Sequence, residues 1–169
     1  PVSLITPRGV TRIDVRSAES MLVEVMNQAS TASIFIATSA VADWRPAIAS
    51  ERKIKKEASG KPPALEFVEN VDILATLAQS DRALRGDLFC VGFAAESHDL
   101  LANAQAKRLR KGVPLLVGNI GPETFGKDDN ALLLIDDAGA RELPRDSKQA
   151  LARLLISDVS ERVRARGKK

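Results

Sequence analysis

The spacing of apolar residues changes along the chain, and each change marks an element. Residues 1–10 are broken by Pro and Gly and read as a lead-in loop. Thr11 to Val15 alternates and predicts a short strand. Ala18, Met21, Leu22, Val25, Met26 and Ala29 then recur at helical spacing behind Ser17, whose hydroxyl suits an N-cap. Ser33 to Ala42 is nearly continuous small and apolar residues, the pattern of a strand covered on both faces, and Asp43-Trp44-Arg45-Pro46 ends it. A charged stretch from Glu51 to Lys61 reads as irregular, and Leu65 to Val68 as a strand. Asp72 is placed to cap a helix through Ile73, Leu74, Leu77 and Ala78. Leu88 to Ala94 predicts a buried strand, and His98 to Lys111 a helix stopped by Gly112. A short strand at Leu115 to Val117 follows. Ala131 to Ile135 and Ala140 to Leu143 flank Asp136-Asp137-Ala138-Gly139, a hairpin signal. A last helix is expected from about Asp146 to Arg166, with Leu151, Leu154, Leu155, Val159 and Val163 on one face.

Strands alternating with helices predict an α/β fold. The sheet is expected to be mostly parallel with flanking helices and right-handed crossovers, and the C-terminal hairpin to add an antiparallel edge before the last helix. No internal repeat or linker divides the chain, so residues 1–169 read as one domain.

Composition narrows the function classes only a little. A formal net charge of +3 is too balanced to demand nucleic acid, although the sequence pI is near 9.2. Five phenylalanines, one tryptophan and no tyrosine offer little for stacking bases. The basic C-terminal run, from Arg162 to Lys169, reads as a solvated helix end. A lone cysteine, Cys90, rules out an internal disulfide and fits a reducing, cytoplasmic setting. Neither a signal-peptide pattern nor an apolar run of roughly 20 residues is present, so no membrane association is expected.

In doubly wound sheets, ligands bind beyond the carboxyl ends of the strands. Polar or permissive residues gather at those ends here: Asp43-Trp44-Arg45, the segment before Asp72, Gly92-Phe93-Ala94-Ala95-Glu96 and Gly118-Asn119. Lys53, Lys55 and Lys56 form a cationic cluster that suits a triphosphate but also fits a solvated charge run. Lys107 and Lys111, four apart, share a helix face; a solvated face is the commoner reason for such a pair, and their mutual repulsion counts slightly towards an anionic partner. Asp43 fits Mg²⁺, ribose hydroxyls or a simple turn. Asp72 fits a cap. Cys90 reads as packing, and His98 has no ligand companion. A Gly-x-Gly-x-x-Gly fingerprint and a Walker lysine loop are both absent.

Taken in order, these segments resemble the phosphopantothenoylcysteine synthetase family. Ala40-Val41-Ala42-Asp43-Trp44-Arg45 resembles its Ala-Val-Ala-Asp-(aromatic)-Arg motif, and Lys53-Ile54-Lys55-Lys56 follows at the expected spacing. Asn70-Val71-Asp72-Ile73-Leu74 resembles Asn-Pro-Asp-Ile-(Val/Leu), with Val71 in place of proline. Val91-Gly92-Phe93-Ala94-Ala95-Glu96 resembles Val-Gly-Phe-Ala-Ala-Glu-Thr. Lys107 and Lys111 match paired helix lysines, and Asn119 and Asn130 fit downstream asparagine positions.

The resemblance implies a Rossmann-like fold, a homodimer and a CTP-dependent ligase that joins cysteine to 4′-phosphopantothenate through an acyl-cytidylate, in coenzyme A synthesis. It implies Lys53 as the catalytic residue. Ala42, Asp43, Trp44, Lys53, Val71, Asp72, Ile73, Leu74, Phe93, Lys107 and Lys111 would hold the nucleotide, with Asp43 near Mg²⁺. In bacteria the family is often fused to a flavin-dependent decarboxylase, with which any FMN would belong. The family's Gly-Gly-Thr-Arg-Glu and Ile-Ser-Asn-x-Ser-Ser-Gly stretches do not occur here. The chain is therefore expected to lack a first strand, a phosphate loop and an asparagine of the complete ligase domain. Two rival readings fit the same residues: a nicotinamide-dependent reductase on a similar sheet, and a nucleic-acid-binding module.

Overall fold

The computed structural model describes residues 4–48, 64–96, 98–120 and 126–167. Its elements run α1 (Ala18–Ala29), β1 (Ile34–Ala37), β2 (Trp44–Pro46), β3 (Phe67–Glu69), α2 (Ile73–Ala78), α3 (Asp81–Leu84), β4 (Phe89–Glu96), α4 (Leu100–Lys111), β5 (Leu115–Ile120), β6 (Asp129–Asp136), β7 (Gly139–Ser147) and α5 (Lys148–Arg166). Five strands form one sheet in the order β1-β4-β5-β6-β7. β1, β4 and β5 are parallel, whereas β6 and β7 join antiparallel. Among the described residues β2 and β3 pair only with each other, as a small antiparallel ribbon.

Strand alternation sorts the core into two layers. Cys90 and Ala94 of β4 and Leu116 of β5 face a cluster containing Ala29, Ile73, Leu77 and Ala104, so α1, α2 and α4 cover that side. Phe89, Val91, Leu115 and Val117 face the other way, onto Leu151, Leu155 and Val159 of α5. Helices on both faces explain why β4 and β5 read as continuous apolar runs.

Helix ends follow their sequence signals. Ser17 and Ser20 form a capping box at α1. Gly112 closes α4 at φ 68°, a left-handed conformation that costs glycine little. Gly92 has a different reason to lack a side chain. A Cβ there would sit 2.7 Å from Leu116 Cδ1 and 2.7 Å from Leu74 Cδ2. Gly92→Val should therefore destabilise the fold by about 1–3 kcal/mol through overpacking, read as a lower thermal midpoint. An unchanged midpoint would mean that Leu74 and Leu116 simply swing aside.

Four expectations change. Thr11–Val15 is not a strand: it pairs with no strand among the described residues, and Arg12 bonds locally to Asp14 at 2.7 Å and to the Leu4 carbonyl at 3.1 Å. Strand propensity without a ladder does not hold a strand. The run from Ser33 to Ala42 yields only Ile34–Ala37, because β1 meets β4 from Ile34 opposite Phe89 to Ala37 opposite Gly92 and then diverges. Nor is β1 covered on both faces, since Ile34 is exposed and the rest half-buried. Leu65–Val68 shifts to Phe67–Glu69 and belongs to the ribbon rather than the main sheet.

The basic end of α5 is not wholly solvated. Arg162 reaches Asp136 and Asp158, each at 2.5 Å, and Arg166 lies 4.7 Å above the Phe89 ring. On the same helix Leu154 turns outward while Leu151, Leu155 and Val159 are buried. Among the described residues, no helix is long and apolar enough to cross a membrane.

Candidate functional site

A groove of about 990 Å³ runs along β1 and past the carboxyl ends of β1 and β4. One end is apolar, walled by α1 and β1 through Met21, Val25, Ile34 and Phe35. The other is polar, bounded by Asp43, Glu69, Asn70, Asp72, Lys107, Arg110 and Lys111. This is the location that the parallel arrangement favours, because strands ending side by side leave a crevice between their diverging loops.

Most of the residues singled out in the sequence meet there. Ala42 and Asp43 arrive on the loop after β1. Val71, Asp72, Ile73 and Leu74 come from the β3–α2 junction, Phe93 from β4, and Lys107 and Lys111 from α4. Trp44 does not line the groove; it sits on β2, 60% exposed. Lys53, with Lys55 and Lys56, lies outside the described residues. His98 and Asn119 do not line the groove either. Asn130 uses its side-chain carbonyl to accept from the Ala131 N–H at 2.8 Å.

Sequence reasoning passed over Arg110, Glu24 and Gln28, all on the groove wall. Arg110 had a readable signal, since it lies one turn from Lys107 on the same helix. Glu24 and Gln28 had none, because exposed polar positions on a helix look alike.

Asp72 serves two purposes. Its Oδ1 accepts from the Ala75 N–H at 3.0 Å, capping α2, and its Oδ2 takes the Lys111 ammonium. Partial burial alone would raise its pKa. The Lys111 hydrogen bond, the Ala75 N–H and the charges of Lys111 and Arg110 outweigh that, and hold the carboxyl below its ordinary 3.8.

A depressed carboxylate contributes stability above its unfolded pKa and loses it as pH falls through the folded value. The Asp72 contribution is therefore complete well above the unfolded value of 3.8, is lost progressively as pH falls below it, and is gone only below the still lower folded value. Lys111→Met should move the Asp72 titration upward, followed by carboxyl-carbon NMR. An unmoved titration would show that the Ala75 cap alone holds it.

Lys107 is half-buried and has no ion-pair partner among the described residues. The Asp43 carboxylate likewise makes no hydrogen bond or ion pair among them, while its carbonyl accepts from the Asn70 N–H at 2.7 Å. Among the described residues, no group of three His, Cys, Asp or Glu is arranged to hold a metal. A lone Asp43 suits Mg²⁺ held mostly by substrate phosphates and water, rather than a protein cage. Cys90 is buried beneath the helices, and burial pushes its thiol up to about 11, with Arg166 pulling slightly the other way. It is a packing residue, not a nucleophile.

A Rossmann-like α/β domain, with paired cations facing a groove at its strand ends, is the class that fold and site define together. The chain belongs to the DNA/pantothenate metabolism flavoprotein C-terminal domain family, whose model matches residues 1–163. It is 40% identical over 166 residues to the coenzyme A biosynthesis bifunctional protein CoaBC of Vibrio cholerae, covering 96% of this chain and 41% of that protein. The chain thus spans about two fifths of the length of that relative. The crystal structure of a CoaBC C-terminal domain superposes with a TM-score of 0.76 at 26% identity, over 98% of this chain and 72% of that one. A Cab2 variant in complex with phosphopantothenate-cysteine shares the fold, at a TM-score of 0.68 and 20% identity, over 90% of this chain and 53% of that one.

Proposed function

We propose that the groove is the nucleotide end of a phosphopantothenate–cysteine ligase site that uses CTP. The observation that carries the reading is the convergence of Lys107 and Lys111 with the Ala42–Asp43 and Val71–Leu74 loops on one strand-end crevice. Kinship with the C-terminal part of a coenzyme A biosynthesis protein supports the substrate class.

In the first step, the carboxylate of 4′-phosphopantothenate attacks the α-phosphorus of CTP. A P–O bond forms, the bond to the β-phosphate oxygen breaks, and pyrophosphate leaves with the electron pair. The amine of cysteine then attacks the acyl carbon of the acyl-cytidylate. The amide bond forms, CMP leaves, and the amine gives up a proton. The acyl phosphate already has a good leaving group, so no histidine base is required.

Lys107 and Lys111 hold the phosphates from α4. Lys111 is already paired with Asp72, a partly exposed contact worth at most about 1 kcal/mol. A triphosphate carries more charge and can displace that carboxylate. Lys53 balances charge on the phosphates as it shifts in the first step. Ala42, Phe93 and the 71–74 segment frame the cytidine, while Trp44 stands beside Asp43 on β2, outside the groove. Asp43, with the substrate phosphates, would hold Mg²⁺, which would supply positive charge for the pyrophosphate leaving group. The protein works as a cytoplasmic homodimer. Any flavin chemistry resides in a fused decarboxylase.

Rapid-mix assays test the order of steps in the full-length protein. Pyrophosphate should appear from CTP when 4′-phosphopantothenate is present and cysteine is absent, and CMP only after cysteine is added. Pyrophosphate release that needs cysteine first would overturn the acyl-cytidylate.

A further inference from the structure

The loops that carry the groove residues hang from a ribbon that the main sheet does not hold. Among the described residues, β2 and β3 contribute three residues each and pair only with one another. A ribbon of that size has little stability of its own. Ala42 and Asp43 immediately precede β2, and Asn70 to Asp72 immediately follow β3. The spacing of the two loops therefore depends on what ties the ribbon down.

One guanidinium ties the ribbon itself to α1, beside the hold that Lys111 of α4 already has on Asp72. Arg45 Nε meets Glu19 Oε1, in the first turn of α1, at 2.7 Å. Its Nη1 donates to the Glu69 carbonyl at 3.0 Å and to Asn70 Oδ1 at 3.3 Å. Asn70 then carries the connection across the ribbon, with its Nδ2 donating to the Ala42 carbonyl at 2.8 Å and its N–H to the Asp43 carbonyl at 2.7 Å. Helix α1 is in turn anchored, because Met21, Leu22 and Val25 pack against the core. Arg45 does not itself line the groove, whereas Ala42, Asp43, Glu69 and Asn70 do.

We propose that Arg45 is a positioning residue for the nucleotide: through Glu19 and Asn70 it fixes the distance between the loop bearing Ala42–Asp43 and the loop bearing Val71–Asp72. The proposal rests on reading the groove as a nucleotide site. Lysine cannot substitute, because an ammonium lacks the planar fork that donates in three fixed directions at once. Both members of the Glu19–Arg45 pair are partly exposed, and such pairs contribute little to global stability. Losing the tie should therefore loosen the site rather than unfold the chain.

The test compares Arg45→Met, Arg45→Lys and Glu19→Gln with wild type in the full-length protein. It measures KM for CTP, kcat, the thermal midpoint and amide hydrogen exchange. Arg45→Met should raise KM about tenfold, with kcat and the midpoint nearly unchanged. Arg45→Lys should recover little of this, and Glu19→Gln should fall between. Exchange at the Asn70 amide should quicken in Arg45→Met, while amides of β4 stay protected.

An unchanged KM in Arg45→Met, with a wild type that uses CTP normally, would overturn the positioning role. So would full recovery in Arg45→Lys, which would reduce the role to charge. A wild type that neither binds nor turns over CTP would overturn the nucleotide reading itself, and the proposal with it. The two failures are distinguished by whether the wild type or only the comparison between variants disappoints.

Discussion

Lys53→Gln should slow pyrophosphate release in a single turnover by about 10²- to 10³-fold, while CTP binding weakens by less than about tenfold. The asymmetry follows from where charge moves. On the proposed reading, Lys107 and Lys111 already share the triphosphate charge in the ground state. As the carboxylate attacks and pyrophosphate departs, negative charge builds on oxygens that those groups do not fully cover. An ammonium that meets this charge only in the transition state lowers the barrier without adding to affinity. Glutamine keeps a hydrogen-bond donor and most of the length but carries no charge, so it isolates the electrostatic part. Unchanged pyrophosphate release in this variant would remove Lys53 from the mechanism. A large loss of CTP affinity with normal single-turnover chemistry would make it a binding residue only.

The second large effect falls on affinity. Lys107→Met and Lys111→Met should each raise the Kd for CTP about 10- to 100-fold, because a charge-assisted hydrogen bond to phosphate is worth about 1.5–3 kcal/mol. The two should differ in a way the structure dictates. Lys107 has no carboxylate to give up among the described residues, so its loss removes only ligand contacts. Lys111 must leave Asp72 to reach phosphate, so part of its interaction is already spent in the free protein and its loss should cost less. Lys111→Met also leaves Asp72 facing the ligand without a cation. Asp72→Asn in the wild-type background separates these terms: it frees Lys111, and CTP should then bind at least as tightly. Weaker binding in Asp72→Asn would assign the carboxylate to the ligand rather than to the lysine. Calorimetric titration with CTP reads all of these variants.

The order of helices and strands was legible because period and length identify an element locally. α1, α4 and β4 are marked by their own residues, and the hairpin of β6 and β7 by Asp136 to Gly139. What failed was what depends on distant partners. Nothing in Thr11–Val15 says that no strand lies beside it. Nor does anything in Thr38–Ala42 say that the chain has left β4 and become groove wall. The ribbon was invisible for the same reason: Trp44–Pro46 reads as a turn until Phe67–Glu69 pairs with it.

The candidate site was more legible than the packing. Its residues sit at strand ends, and a parallel sheet brings strand ends together whatever the loops contain. The Glu19–Arg45 contact was not legible, since two exposed charges far apart in sequence carry no periodicity. The pairing of Arg162 and Arg166 on α5 was hidden likewise, because a helical basic run looks the same whether or not acidic and aromatic partners lie beneath it.

The strand-end groove is predicted to take a cytidine nucleotide. Calorimetric titration of the full-length protein with CTP and Mg²⁺, beside ATP and NADPH, tests it most directly. Tight binding of CTP, weaker binding of ATP and none of NADPH is the predicted result, with the CTP signal reduced in Lys107→Met. Preferential binding of NADPH, or CTP binding that Lys107→Met leaves untouched, would contradict it.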